Sequence, residues 1–347
     1  MPSFHLNCPV PLTGDCVQLA HGGGGRRMRD LLEGLMLPSF QDPLLEARHD
    51  AALLEIQGVR LAFTTDSFVV SPRFFPGGNI GELSVFGTVN DLAMGGARPL
   101  FLSCAMILEE GYPLEELRQV LDSMARAARR CGVRIATGDT KVVDKGKGDG
   151  LYINTTGIGL VRDGVALGPG RVRPGDAVLV SGDVGRHGVA VMSVREGLAF
   201  ECPVQSDCSP VHHLAAALME AGLDLHCLRD PTRGGLASVL NEIALDGALG
   251  IEVDETAIPV AEDVSAACEL LGLDPLYVAC EGRMVAFLPP NQAEQALTLM
   301  RQHPEGCGAA LIGHVLEGPV GQVQLRTRLG THRSLDLLSG EQLPRIC

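Results

Sequence analysis

The sequence predicts two domains that each mix helices and strands, in the α/β and α+β classes. Its 347 residues suffice for about two domains of ordinary size. Strand-like and helix-like segments alternate through both halves instead of segregating. Midway, the turn-rich Arg171-Val172-Arg173-Pro174-Gly175-Asp176 interrupts them. The expected division is an extension over 1–17, a first domain over 18–170, a second over 171–329 and a mobile tail over 330–347.

The elements follow from local pattern. Residues 28–37 read as a short amphipathic helix with Leu31, Leu32 and Leu35 on one face. Residues 60–70 are apolar and β-branched enough for a strand, interrupted by the polar Thr65-Asp66-Ser67. A helix over 81–94 stops at Gly95-Gly96, and a strand follows over 100–108. Pro113 opens a helix that carries Leu117, Val120, Leu121, Met124 and Ala128 at helical spacing and closes at Gly132. Strands are expected over 133–137, 151–161 and 177–181. Ser209-Pro210 has the form of a cap followed by a first-turn proline, for a helix ending at Gly222. Beyond it, helices near 235–246, 261–271 and 290–302 alternate with strands near 276–288, 309–316 and 322–327. The stretch after Gly330 has few core-like positions. Seventeen extended residues reach roughly 55–60 Å, so the closing residues can visit distant sites.

Composition excludes several classes. Forty-two acidic against 28 basic residues give a formal charge of −14, which repels nucleic acid, and no Trp with three Tyr leaves little surface for stacking bases. Apolar runs break well short of about 18 residues, so no membrane span is expected. The opening residues lack a basic n-region and a sustained apolar stretch. Eleven cysteines without a C-x-x-C pair argue against a zinc site or a disulfide framework, and the expected location is cytoplasmic.

The chemistry-bearing motifs are glycine runs and aspartates. His21-Gly22-Gly23-Gly24-Gly25 precedes a helix, and successive bare amides there can cradle phosphate oxygens. A flexible loop gives the same pattern, and no Gly-Lys-Ser/Thr follows to make a Walker A loop. Asp66, Asp91, Asp139 and Asp230 occupy strand ends or glycine-flanked turns. Singly, each is equally a turn or cap residue; jointly, they offer the hard oxygens that suit Mg²⁺ beside nucleotide phosphates. Asn90, Thr140 and Arg233 flank them. Lys141 lies two residues past Asp139, so on an extended segment both side chains face one way. Glu281 stands where an apolar strand gives way to glycine. There it is either a base with a raised pKa or the partner of Arg283 in an ion pair. His212-His213 open a helix, with one ring expected in solvent. Cys347, in the closing Leu343-Pro344-Arg345-Ile346-Cys347, is a lone thiol on the expected tail.

Taken together, residues 21–25, Thr64-Thr65-Asp66-Ser67, Phe75-Pro76-Gly77-Gly78-Asn79-Ile80-Gly81, Gly138-Asp139-Thr140-Lys141-Val142-Val143, residues 229–235 and Pro344-Arg345-Ile346-Cys347 resemble the HypE family of hydrogenase maturation factors. The Asp-Pro-Thr-Arg-Gly-Gly segment alone would mark only the superfamily that includes aminoimidazole ribonucleotide synthetase and selenophosphate synthetase. The closing Pro-Arg-Ile-Cys is far more specific. Two departures are the extension bearing Cys8 and Cys16, and Arg283 where a lysine is common.

The resemblance implies an ATP-dependent carbamoyl dehydratase of NiFe-hydrogenase assembly. A carbamoyltransferase, HypF, would load a carboxamide onto Cys347. ATP would activate its oxygen, and loss of phosphate would leave an S-cyano group for iron on a HypC–HypD complex. Asp66, Asp91, Asp139 and Asp230 would hold Mg²⁺. His21 to Gly25, Asn90, Thr140 and Arg233 would bind nucleotide. Lys141 would stabilise developing charge, and Glu281 would be the base. The implied fold is the two-domain aminoimidazole ribonucleotide synthetase-like one, in a homodimer whose N-terminal domains pair into a shared β-barrel, with ATP between the domains. Two other readings fit the superfamily motifs: an ATP-dependent enzyme acting on a free small molecule, and a non-catalytic nucleotide-binding scaffold.

Overall fold

A computed structural model describes residues 15–198, 203–340, 343 and 345–347. Cys8 and Pro344 lie outside these residues, and Cys16 is exposed.

The first sheet has five strands in the spatial order Ala52–Ile56, Val59–Phe68, Leu151–Val161, Ala97–Glu109, Arg134–Val143. Only the last pair is parallel, and the helix Leu114–Cys131 makes the crossover between those two strands. That helix begins after Pro113 and ends at Gly132 in a left-handed conformation, as its punctuation predicts. Its buried stripe is Val120, Ser123, Met124, Ala127, Ala128 and Cys131, whereas Leu121 is exposed because it falls off that stripe. Together with the helix Ile80–Met94 it covers one sheet face. Phe68, Leu83, Val89, Leu102, Met106 and Ile153 pack in between.

Among the described residues, nothing covers the other face. Phe63, Ile158 and Phe101 form one exposed cross-strand row, and Ile107 and Leu160 extend the apolar surface. The sheet runs open from Ala52–Ile56 to Arg134–Val143 and does not close into a barrel within one chain.

The second sheet has seven strands in the order His332–Ser334, Gln322–Arg326, Gly250–Asp254, Ala310–Leu316, Ala177–Val180, Val285–Leu288, Cys227–Arg229. Both its faces are covered. Leu236, Leu240 and Ile243 of the helix Gly235–Asp246 fill one side. The helices His212–Glu220 and Ala293–Arg301 fill the other, through Leu214, Leu218, Leu297 and Met300.

Several elements differ from expectation. The first helical stretch runs from Arg26 to Phe40, with a π-helical turn at Leu32–Met36. The strand expected to end at 137 continues to Val143, because as an edge strand its polar residues pair without needing burial. Between 276 and 288 only Val285–Leu288 is a strand. The helix expected to start at Ser209-Pro210 begins at His212. His212 is buried and His213 faces solvent. The described residues beyond Gly330 pack on the fold: His332–Ser334 adds an edge strand, Leu335 is fully buried, and Ile346 enters the first domain's core.

Candidate functional site

A cavity of about 420 Å³, within the usual range for a small-molecule site, opens between the two domains. Its walls come from the helical stretch that starts at Arg26, the start of the first sheet, and the segment leading into the helix Gly235–Asp246. Met28, Leu32, Leu37 and Val239 contribute apolar lining, and Asp50, Asp66, Asp91 and Asp230 line the cavity as well. A second cavity of about 160 Å³ holds Cys347. Arg233 lines both, with Gly24 and Gly25 on the first side and Gly22 and Gly23 on the second. The glycine run is therefore the partition between them.

Close packing explains two of these glycines. Gly24 has φ +75°, and a Cβ there would lie 2.5 Å from the Arg233 carbonyl oxygen; one on Gly25 would lie 2.5 Å from that of Leu338. Ser238 Oγ donates to the Gly24 carbonyl at 3.1 Å, and Arg26 N to that of Leu338 at 2.8 Å. A Cβ on Gly22 would meet nothing within 4 Å, although Arg233 Nη1 donates to the Gly22 carbonyl at 3.4 Å. His21 faces neither cavity, because its Nδ1 accepts from Gln18 N at 2.9 Å.

The carboxylates are electrostatically frustrated. Burial, then repulsion by Asp230, Asp50 and Asp66, pushes the Asp91 pKa well up. Asp66 is raised chiefly by burial, and Asp230 reaches about 6 for the same reason. Asp50 is raised well above its ordinary value by burial, against the opposing pull of Arg229, whose Nε lies 2.6 Å from its Oδ1. Asp50 Oδ2 is buried without a hydrogen-bond partner. Among the described residues, no three His, Cys, Asp or Glu side chains converge closely enough to enclose a metal ion. The cluster does fit a divalent cation that completes its shell with phosphate oxygens and water.

Asp139, Thr140 and Lys141 do not join this cluster. They sit on the edge strand, three strand spacings or about 14 Å across the sheet from Asp66's strand. Asp139 is in register with Ala105, and Lys141 with Ile107, on the bare face; Asp66 points to the helix-covered one. The two side chains, 63% and 70% exposed, pair with each other at 2.8 Å. Asn90 is also elsewhere. Buried, it accepts from Val211 N at 2.8 Å and donates to the Ser209 carbonyl at 3.1 Å, clipping the domains together. Asp50 is the carboxylate that sequence reasoning missed. Its only signal is a polar Arg48-His49-Asp50 immediately before a short apolar strand.

Glu281 lies beside the Cys347 thiol, near enough to raise its pKa. Burial first, then repulsion by Asp230, Asp66 and Asp207, drives its pKa well above the usual range, with Arg233 opposing. Its Oε1 has no partner. Burial and Glu281 likewise hold the Cys347 thiol protonated, again opposed by Arg233. Arg283 does not neutralise Glu281. Its Nη2 pairs with Asp183 Oδ1 at 2.6 Å and its Nε donates to the Asp183 carbonyl at 2.9 Å. Gly282 permits this crowding, since a Cβ there would fall 1.8 Å from the Asp207 carbonyl oxygen.

An open sheet and a fully covered one, enclosing a carboxylate-rich cavity between them, define the AIR synthase-related class. Residues 48–161 match the family described as AIR synthase related protein, N-terminal domain, and residues 173–326 its C-terminal domain. The chain is 51% identical to carbamoyl dehydratase HypE of Azotobacter vinelandii over 97% of its own length and 99% of the relative's. Among solved structures, hydrogenase maturation protein HypE in complex with ATP matches with TM-score 0.81 and 49% identity, covering 96% of this chain and all of that one. HypE in a HypE–HypF complex matches with TM-score 0.85 and 46% identity over 89% of this chain and 99% of that one. The chain belongs to the HypE family of hydrogenase maturation proteins, the carbamoyl dehydratases.

Proposed function

We propose that this enzyme binds ATP in the interdomain cavity and dehydrates a carboxamide carried on its own Cys347 to a thiocyanate, the source of the cyanide ligand on hydrogenase iron. One observation carries the reading: the Cys347 thiol, with Glu281 beside it, lines a chamber that shares the Arg233 and glycine-run wall with a nucleotide-sized cavity.

The apolar side chains of Met28, Leu32 and Leu37 in the cavity's lining suit a base, and the carboxylates of Asp50, Asp66, Asp91 and Asp230 suit a Mg²⁺–phosphate group. Mg²⁺, when bound, would neutralise charge on the transferring phosphoryl group. The carboxamide oxygen attacks the γ-phosphorus and ADP leaves; the C–O bond then breaks as phosphate departs and the C≡N bond forms. Two nitrogen protons are lost in all. Glu281 is the acceptor in reach, because its place beside the sulfur puts it near the carboxamide N–H once the sulfur is loaded. Arg233 faces Cys347, Glu281 and Asp66 together, which suits it to steady the phosphoryl oxygens between chambers. A covalent tether keeps the reacting group at high effective concentration.

The bare sheet face supports a homodimer, in which Asp139, Thr140 and Lys141 of one copy would reach the site of another. HypF is the proposed carbamoyl donor and a HypC–HypD complex the proposed acceptor. The nine described cysteines are all free, in keeping with a reducing cytoplasm. An enzyme acting on a free small molecule would not need a residue of its tail against its base.

The test is intact-mass spectrometry of HypF-carbamoylated protein given MgATP. The peptide bearing Cys347 should lose one water. ATP turnover with that mass unchanged would overturn the reading.

A further inference from the structure

The closing residues are gripped by their backbone. Val69 N donates to the Cys347 carbonyl at 3.0 Å, and Ser71 N to the Arg345 carbonyl at 3.2 Å. Two side chains from the helix Arg186–Arg195 close over the same segment. His187 Nε2 lies 2.7 Å from the Ile346 carbonyl oxygen, and Arg195 Nη2 lies 2.8 Å from that of Arg345. Arg195 Nε also holds the Ser71 carbonyl at 2.9 Å, so one guanidinium bridges the tail and its bed.

His187 is built for this contact. Its ring is fully buried and meets Phe75 edge-on at 5.2 Å. A carbonyl can only accept, so Nε2 carries the proton and Nδ1 accepts from Ser206 Oγ at 2.9 Å. Ser206 Oγ accepts in turn from Cys208 N at 3.0 Å, which fixes the hydroxyl's direction. Arg345 adopts a left-handed backbone, φ 52°, which a non-glycine residue keeps only when its surroundings impose it. Here the surroundings are hydrogen bonds to its carbonyl, its Nε donating to the Val69 carbonyl at 3.0 Å, and its ion pair with Asp149.

We infer that His187 and Arg195 form a receptor for the tail backbone and act as positioning residues, holding the Cys347 sulfur at Glu281 for dehydration. The inference rests on the reading of Cys347 as substrate carrier. The hydrogen bonds from His187 and Arg195 to the tail go to the backbone carbonyls of Ile346 and Arg345. The clasp is therefore indifferent to what the sulfur carries. Free thiol, carboxamide and thiocyanate dock alike, and release for loading or delivery breaks the same bonds each time.

The test is the rate at which N-ethylmaleimide labels Cys347 in the whole protein, read by peptide mass. His187→Phe keeps the ring packing and removes the donor; Arg195→Ala removes the bridge and keeps the test open if the first variant unfolds. Each should label about tenfold faster than wild type, as expected for loss of a buried or charged hydrogen bond. His187→Gln, whose amide still donates, should stay close to wild type. After carbamoylation, the first two should dehydrate about tenfold more slowly at an unchanged KM for ATP and unchanged loading by HypF. Unchanged labelling and dehydration in both would overturn the inference, as would His187→Gln being as impaired as His187→Phe. If loaded wild type fails to dehydrate, the substrate-carrier reading falls, while the labelling contrast still decides the clasp.

Discussion

At the residue scale, the site stores electrostatic cost in buried carboxylates. Asp230 titrates near 6 in the folded protein and near 3.8 when exposed. A raised carboxyl pKa means that folding favours the protonated form. Its contribution is intact below the unfolded pKa and is lost as pH rises through about 6. Above that, the metal-free protein carries up to about 3 kcal/mol of strain from this one group. Asp230→Asn should therefore melt higher than wild type at pH 8 in a chelator, with the gain vanishing by pH 4. MgATP should raise the melting temperature of wild type much more than that of the variant. Thermal melts across pH check both statements, and a variant that melts lower at pH 8 would refute the assignment. The sequence exposed Asp66, Asp91 and Asp230 because glycine or turn chemistry surrounds them. Asp50 was hidden, since nothing local separates a cavity-facing aspartate from a loop residue. The juxtaposition of Glu281 and Cys347 spans 66 positions and has no local signature; only the family resemblance brought the two together.

At the element scale, the glycine run divides into positions with different duties. Gly24 combines a left-handed backbone with backbone contact at Arg233, whereas Gly22 has open space where a side chain would project. Gly24→Ala must move either the loop or Arg233, which lines both chambers. It should weaken MgATP binding at least about tenfold, given that a strained backbone position costs about 1–3 kcal/mol. Gly22→Ala should bind within about twofold of wild type, as surface substitutions usually do. Titration calorimetry separates the two, and equal affinities would show that the run is only a linker. Regular elements with a buried stripe were legible from spacing: the strand Leu151–Val161 and the helix Leu114–Cys131 match expectation. The strand Arg134–Val143 was legible only to its midpoint, because the exposed Asp139, Thr140 and Lys141 interrupt any apolar period. The closing segment misled for a related reason. The apolar residues there follow no helix or strand period, and burial of Leu335 and Ile346 depends on partners in the cores of the second and first domains.

At the scale of the whole molecule, the two sheets face opposite situations. The second is covered on both sides, while the first leaves the row Phe63–Ile158–Phe101, with Ile107 and Leu160, in solvent. A contiguous apolar sheet face of this kind calls for a partner, and a second copy of the chain presents the complementary face by symmetry. The same face carries Lys141, which its own chain cannot bring to Glu281. Lys141 can act in the reaction only across a dimer. Wild type should therefore run as a dimer in light scattering, and Phe101→Asp should shift it toward monomer and depress dehydration. Lys141→Ala and Glu281→Gln should each load with carbamoyl groups and fail to dehydrate. Mixed by reversible dissociation, they should regain roughly a quarter of wild-type activity, because half of the random dimers are mixed and each mixed dimer holds one intact site. Mixed samples that stay inactive while remaining dimeric would show that Lys141 does not work in trans. The bare face would then be an interface without a share in the chemistry.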